Sequence, residues 1–265
     1  QGPGSLEVNV GGETMDGISV AGNVSLRGAS LFVNAPGGIG IASGGTTGGD
    51  IHISNSNVIA KSVYPGLFAA GNLTISGASV QSTSTADSAL WARGNLIIGD
   101  NAHVTLDGKY PTGCGGNFTV YAAEIDAKNT NEENIPALFD NLAIGNDYDL
   151  TYAVAVDSEG TTIDLIEHNG VEQAKGYLHL YKNIHFVTGE KSAVYSFPFT
   201  KTVKKGGDVA PGTQEFELEI FNVGVGQIED YTDVTATATV ATNGAGEYEG
   251  LLTIQGPKSQ VRDIT

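Results

Sequence analysis

One phrase recurs through the first hundred residues and leaves the chain few folds to adopt. It is a Gly-Asn or Gly-Asp pair followed by two aliphatic residues spaced two apart. The copies are Gly22-Asn-Val-Ser-Leu-Arg-Gly28, Gly49-Asp-Ile-His-Ile-Ser-Asn55, Gly71-Asn-Leu-Thr-Ile-Ser-Gly77 and Gly94-Asn-Leu-Ile-Ile-Gly-Asp100. Each leads into a second alternating run: Ala29-Ser-Leu-Phe-Val, Asn57-Val-Ile-Ala, Ala78-Ser-Val-Gln and Ala102-His-Val-Thr-Leu. A third short strand precedes the next copy, as in Leu67-Phe-Ala-Ala-Gly71 and Leu90-Trp-Ala-Arg-Gly94, and Asp16-Gly-Ile-Ser-Val-Ala-Gly22 fits an earlier coil. The starts lie 27, 22 and 23 residues apart. That is room for three strands of roughly five residues and three turns, one coil of a parallel β-helix.

Alternation then places Val24, Leu26, Ile51, Ile53, Leu73, Ile75, Leu96 and Ile98 inward as aliphatic ladders. A sandwich of hairpins would use the same strands, but it gives no reason for Gly-Asn to return once per coil. The expected fold is all-β: a right-handed parallel β-helix over 6–190, with its clear repeats at 16–108, followed by an antiparallel Ig-like module at 194–265. Residues 1–5, Gln-Gly-Pro-Gly-Ser, read as a protease-site and cloning remnant.

From Lys109 the repeat weakens. Residues 129–190 are expected to finish and cap the solenoid, since its last coil cannot stay open to solvent. The one short helix is expected at Ile135–Leu142, with strands at Tyr148–Val156, Thr161–Glu167 and Gly176–Val187.

Composition agrees with an extracellular β-protein. Gly is abundant at 37 residues, Met and Trp occur once each, and apolar residues make up 40%, enough for a core. Thirty acidic against thirteen basic residues give a net charge of −17. That repels phosphate backbones and anionic lipid, so neither nucleic acid nor a membrane surface is an expected partner. No apolar run approaches the roughly 20 residues that span a bilayer. Cys114 is the only cysteine, so no intrachain disulfide forms.

The texture changes at Val194. Longer aromatic strands are expected at Tyr195–Val203, Glu215–Asn222, Thr232–Thr242 and Gly250–Gln255. Phe199-Thr-Lys201-Thr-Val, then Thr213-Gln-Glu-Phe-Glu-Leu-Glu-Ile, resembles the start of the streptococcal-type pilin isopeptide-linkage domain. The resemblance covers 195–265 and implies an Ig-like module of Gram-positive pilins and wall-anchored adhesins. There a first-strand lysine joins a C-terminal asparagine through an amide, assisted by a buried acid. Only Lys201 matches that machinery; the strands carrying asparagine and acid would follow Thr265. Lys201 is therefore either the isopeptide lysine or an ordinary edge-strand lysine. The repeats over 16–108 are similar to bacterial carbohydrate-binding β-helix domains.

Phe68 and Trp91 share one repeat position. With Leu67, Ala69, Leu90 and Ala92 inward, they point outward and stack about 4.8 Å apart on adjacent coils, with Arg93 on the same face. Such a ledge suits a sugar, whose C–H face lies on the rings while its hydroxyls take flanking polar groups. Equally, the segment after residue 129 could cover the rings.

Asp50, Asp87, Asp100 and Asp107 sit at turns rather than in one strand ladder, unlike the paired carboxylates of glycoside hydrolases. His52, His103, His168, His179 and His185 show no zinc spacing, and Cys114 lacks an activating base. The Gly-rich runs at 36–40 and 44–49 are loops, not phosphate cradles. No catalytic residue, metal or cofactor is expected. The function that emerges is adhesion: a cell-surface protein, wall-anchored in its full-length form, presenting a β-helix to host or microbial glycan or protein ligands. A polysaccharide lyase or hydrolase on the same fold is the alternative, and a ligand-free spacer is the third.

Overall fold

The computed structural model describes residues 4–44, 48–131, 136–138, 141–157, 159–203, 212–218, 221–224, 227–230, 233–242 and 246–264. The chain divides into two compact units, Gln1–Gly189 and Glu190–Thr265. Expectations for residues 45–47, Ile135, Phe139, Asp140, Lys204 and Lys205 lie outside the described residues.

The first unit is a parallel β-solenoid of about six turns. After β1 (Ser5–Asn9), the first coil is β2 (Ile18–Val20), β3 (Val24–Arg27) and β4 (Ser30–Ala35). The second is β5 (Ile41–Ser43), β6 (Ile51–Ser54) and β7 (Asn57–Ser62). The third is β8 (Leu67–Ala69), β9 (Leu73–Ser76) and β10 (Ser79–Ser84). The fourth is β11 (Ser88–Ala92), β12 (Leu96–Gly99) and β13 (Ala102–Gly108). Strands three apart pair in parallel, so three sheets run along the solenoid. Ser5, set aside as a remnant, pairs with Ser30 in the sheet of β1 and β4.

Regular coils continue past the region where the phrase is plainest. A fifth coil, β14 (Tyr110–Cys114), β15 (Phe118–Val120) and β16 (Ala123–Asn129), keeps the same pairing, and β17 (Leu142–Ile144) adds a strand to β15. The helix expected at 135–142 is not what forms at its end: Leu142 opens a strand. One ladder runs Val24, Ile51, Leu73, Leu96, Phe118, Leu142, and its neighbour Leu26, Ile53, Ile75, Ile98, Val120, Ile144. From Ile51 to Val120 these side chains are essentially inaccessible.

The glycines of the repeat have a specific cause. The residue after each glycine builds a ladder at the turn. Asp50 N–H donates to Asn23 Oδ1, Asn72 N–H to Asp50 Oδ1, Asn95 N–H to Asn72 Oδ1 and Asn117 N–H to Asn95 Oδ1, at 2.7–2.9 Å. A Cβ at Gly71, Gly94 or Gly116 would stand 2.3, 2.6 or 2.4 Å from the oxygen of the coil before. The glycine is there because the ladder fills its side-chain space. At the next corner, Gly28, Asn55, Gly77 and Asp100 all take left-handed φ, between 48° and 58°. Glycine, Asn and Asp are the residues that tolerate it.

The far end of the solenoid is closed by β18 (Tyr148–Val156), β19 (Thr162–Asp164), α1 (Leu165–Asn169), α2 (Val171–Tyr177), a 3₁₀ turn Leu178–Leu180, and β20 (Asn183–Glu190), antiparallel to β16. Leu165, Ala174, Leu178, Ile184 and Phe186 are buried in the same cluster as the coils' ladders. The strand expected at Thr161–Glu167 turns helical midway. Asp164 Oδ1 accepts the N–H groups of Ile166 and Glu167 at 3.0 and 2.9 Å, and this cap starts α1. The strand expected from Gly176 begins only at Asn183, after α2 and the 3₁₀ turn.

The second unit is an antiparallel sheet in the order β21 (Ser192–Val203), β26 (Gly246–Pro257), β25 (Thr235–Thr242), β22 (Gly212–Leu218). A ribbon of β23 (Phe221–Gly224) and β24 (Gln227–Asp230) and a helix α3 (Lys258–Ile264) accompany it. The register puts Tyr195, Phe197 and Phe199 on one face with Ile254, Leu252, Ala236, Ala238 and Val240. An Ig-like sandwich needs a second sheet packed on that face; among the described residues the unit's other sheet is the two-stranded ribbon β23–β24.

Candidate functional site

Phe68 and Trp91 are direct neighbours across β8 and β11, and the flanking strands offer only Ala42 and Gly113 at the same level. Leu67, Ala69, Leu90 and Ala92 are fully buried, so alternation turns the two rings to the outer face. Both rings are half-buried there. Arg93 lies level with Ala70, on the side of Phe68 that leads into β9 and β12, and its Cζ is 5.5 Å from the Phe68 ring centroid. Its guanidinium therefore serves the ring as a cation–π partner.

On the opposite side of Phe68, where each coil turns into this sheet, lies a cleft of about 360 Å³. Its lining includes Thr14, Asp16, Tyr64, Pro65, Phe68 and Asp87. Segment 13–16 forms one wall by resting directly on a Gly-Gly turn: a Cβ at Gly37 or Gly38 would meet the backbone of Glu13 or Met15 at 2.3 Å. Asp16 Oδ1 accepts the Ile39 N–H at 2.9 Å, and Asp87 Oδ1 accepts the Ser88 N–H at 2.7 Å. Tyr64 is anchored through its backbone, its N–H donating to Gly38 O and its carbonyl accepting from Ser62 Oγ. Its side chain stands 52% exposed.

The histidines are less scattered than their spacing implies. On the outer face of the β13–β16–β20 sheet, His103 Nδ1 and His185 Nε2 flank Glu124 at 3.0 and 3.5 Å, and Tyr152 meets the His185 ring edge-on. The antiparallel return of β20 brings His185 there. Among the described residues no three His, Cys, Asp or Glu side chains are arranged to hold a metal ion. Cys114 is buried, with its Sγ between Gly116 O and Asn141 Nδ2 at 3.4 and 3.3 Å.

Lys201 sits half-buried on the edge strand β21, opposite Tyr248 and on the face that carries Phe197 and Phe199. The Phe199 ring occupies the space where Gly250 lacks a side chain. Among the described residues no helix is long and apolar enough to cross a membrane. Comparison with known protein families, curated proteins and solved structures finds no match to this chain, so its site is defined by geometry alone.

Proposed function

We propose that this chain belongs to a bacterial cell-surface adhesin, extracellular and wall-anchored in full-length form, whose solenoid holds a glycan or a glycan-bearing surface protein. The observation that carries the reading is the pair of outward rings, Phe68 and Trp91, on adjacent coils with Arg93 against one of them. Rigid strands hold them, so little freedom is lost on binding. A non-catalytic role is supported by the spacing of the nearby acids. The backbone positions of Asp16 and Asp87 are three coils apart, about 14 Å, and each carboxylate already accepts a backbone N–H at its own turn.

The second unit is read as the beginning of a pilin-type module with Lys201 as its isopeptide lysine. Its edge-strand place on the apolar face supports that role. Two measurements test these readings. Trp91 is the only tryptophan, so glycan hits from an array can be titrated by its fluorescence and repeated with Trp91→Ala. Binding to no glycan, or binding unchanged in the variant, removes the ledge. Intact mass of the full-length protein should be short by one ammonia, and an unaltered mass removes the isopeptide.

A further inference from the structure

Resting on the glycan-binding reading, we infer that the cleft beside Phe68 is a subsite for an uncharged oligosaccharide, with Tyr64 as its stacking platform. Phe68 divides two environments. Arg93 approaches it from the side of β9 and β12, level with Ala70, while Tyr64, four residues upstream, lies on the cleft side. Arg93 holds the side of Phe68 away from the cleft, so within the cleft the ring with most surface to offer a sugar is Tyr64, 52% exposed on an anchored backbone. Pro65 and Phe68 supply an apolar floor beside it.

The polar chemistry of the cleft is one-sided. Asp16 and Asp87 stand at its two ends, each with Oδ1 fixed by a backbone N–H, and no lysine or arginine lines it among the described residues. Ionised carboxylates accept from hydroxyl donors and bind them more strongly than neutral acceptors do. They repel a uronate or sialate carboxylate brought between them, and the net charge of −17 adds to that repulsion. The cleft also runs along the solenoid axis, from the level of Asp16 through Ile39 and Pro65 to Asp87. Three coil spacings of about 4.8 Å make it longer than one ring, so a short oligomer suits it better than a monosaccharide.

The test titrates the whole chain with maltohexaose, xylohexaose and mannohexaose as neutral probes and hexagalacturonate as the anionic one. At least one neutral hexamer should bind, at least tenfold more weakly to Tyr64→Ala and within about threefold to Tyr64→Phe, with no binding of hexagalacturonate. The double change Asp16→Asn and Asp87→Asn, which keeps both Oδ1 acceptors, should make hexagalacturonate binding measurable. Hexagalacturonate bound as tightly as the neutral probes, neutral binding unaltered by Tyr64→Ala, or no neutral hexamer bound overturns the inference. Binding lost in Trp91→Ala but kept in Tyr64→Ala removes the cleft and leaves the ledge. A full array without any hit removes both.

Discussion

Replacing Gly94 by alanine should destabilise the solenoid, while the same change at Gly22 should not, although the two occupy the same place in the repeat. At Gly94 the new Cβ falls 2.6 Å from Asn72 Oδ1 and 3.0 Å from Gly71 O. Asn72 must swing away, and its 2.9 Å bond from the Asn95 N–H breaks. A lost hydrogen bond costs about 0.5–1.5 kcal/mol, and crowding against a carbonyl that moves only with its strand adds about 1–3 kcal/mol. Alanine offsets about 0.4–1 kcal/mol by restricting the unfolded chain. The net loss is about 1–3 kcal/mol, a fall in Tm of roughly 3–10 °C for a unit of this size. Gly22 has nothing within 4 Å of the added Cβ, because no ladder oxygen precedes it, so Gly22→Ala should raise Tm slightly. Circular dichroism melts of both variants decide the matter. Equal shifts would refute the argument and mean that the glycine serves the turn's own geometry rather than the ladder.

At the next corner, Asn55 holds φ 48°. Asn55→Val should cost about 1–2 kcal/mol, whereas Asn55→Gly should be neutral or stabilising by urea unfolding. In the cap, burial works to lower the pKa of Lys175, but hydrogen bonds and charge from Asp149 and Glu172 outweigh it and raise the value above 10.5. A raised lysine pKa stabilises the fold fully below the unfolded value and loses that contribution as pH climbs through the folded one. Thermal stability should therefore drop above about pH 10.5, and the drop should be smaller in Lys175→Met.

Much of the solenoid can be read from the chain because its information is local and repeated. Alternation places the ladders, and the Gly-Asn pair marks each coil. The phrase also stands at Gly116-Asn117, 22 residues after Gly94, and points to the fifth coil. It is masked there because Tyr-Pro-Thr-Gly-Cys, at 110–114, does not look like a strand, yet β14 forms on the edge of β11. The cap carries a local signal too. Asp164 followed by Glu167, with Gly170 closing the turn, is a helix start and stop, but Thr161-Thr-Ile ahead of it reads as a strand.

The cleft and the His103–Glu124–His185 cluster have no such signature. Asp16, Tyr64 and Asp87 come from the turns ahead of the first, third and fourth coils, so a coil is skipped between the first two and the three residues share no repeat position. His185 reaches Glu124 only through a reversal of chain direction after the coils end. In the second unit alternation marks antiparallel strands, which the sheet of β21, β26, β25 and β22 bears out, while a sandwich depends on what packs upon that sheet, which no strand pattern encodes.

The ladder of Asn23, Asp50, Asn72, Asn95 and Asn117 has a consequence for how such a protein can change in length. Each coil donates a backbone N–H to the oxygen behind it and offers a like oxygen ahead. Coils cut at this point are interchangeable parts. Duplicating or deleting a whole one leaves every junction with the same donor and acceptor, whereas gaining or losing a single residue inverts a strand and breaks the series. Genetic gain or loss of coils would then adjust the protein's reach in increments of about 4.8 Å without redesigning any contact.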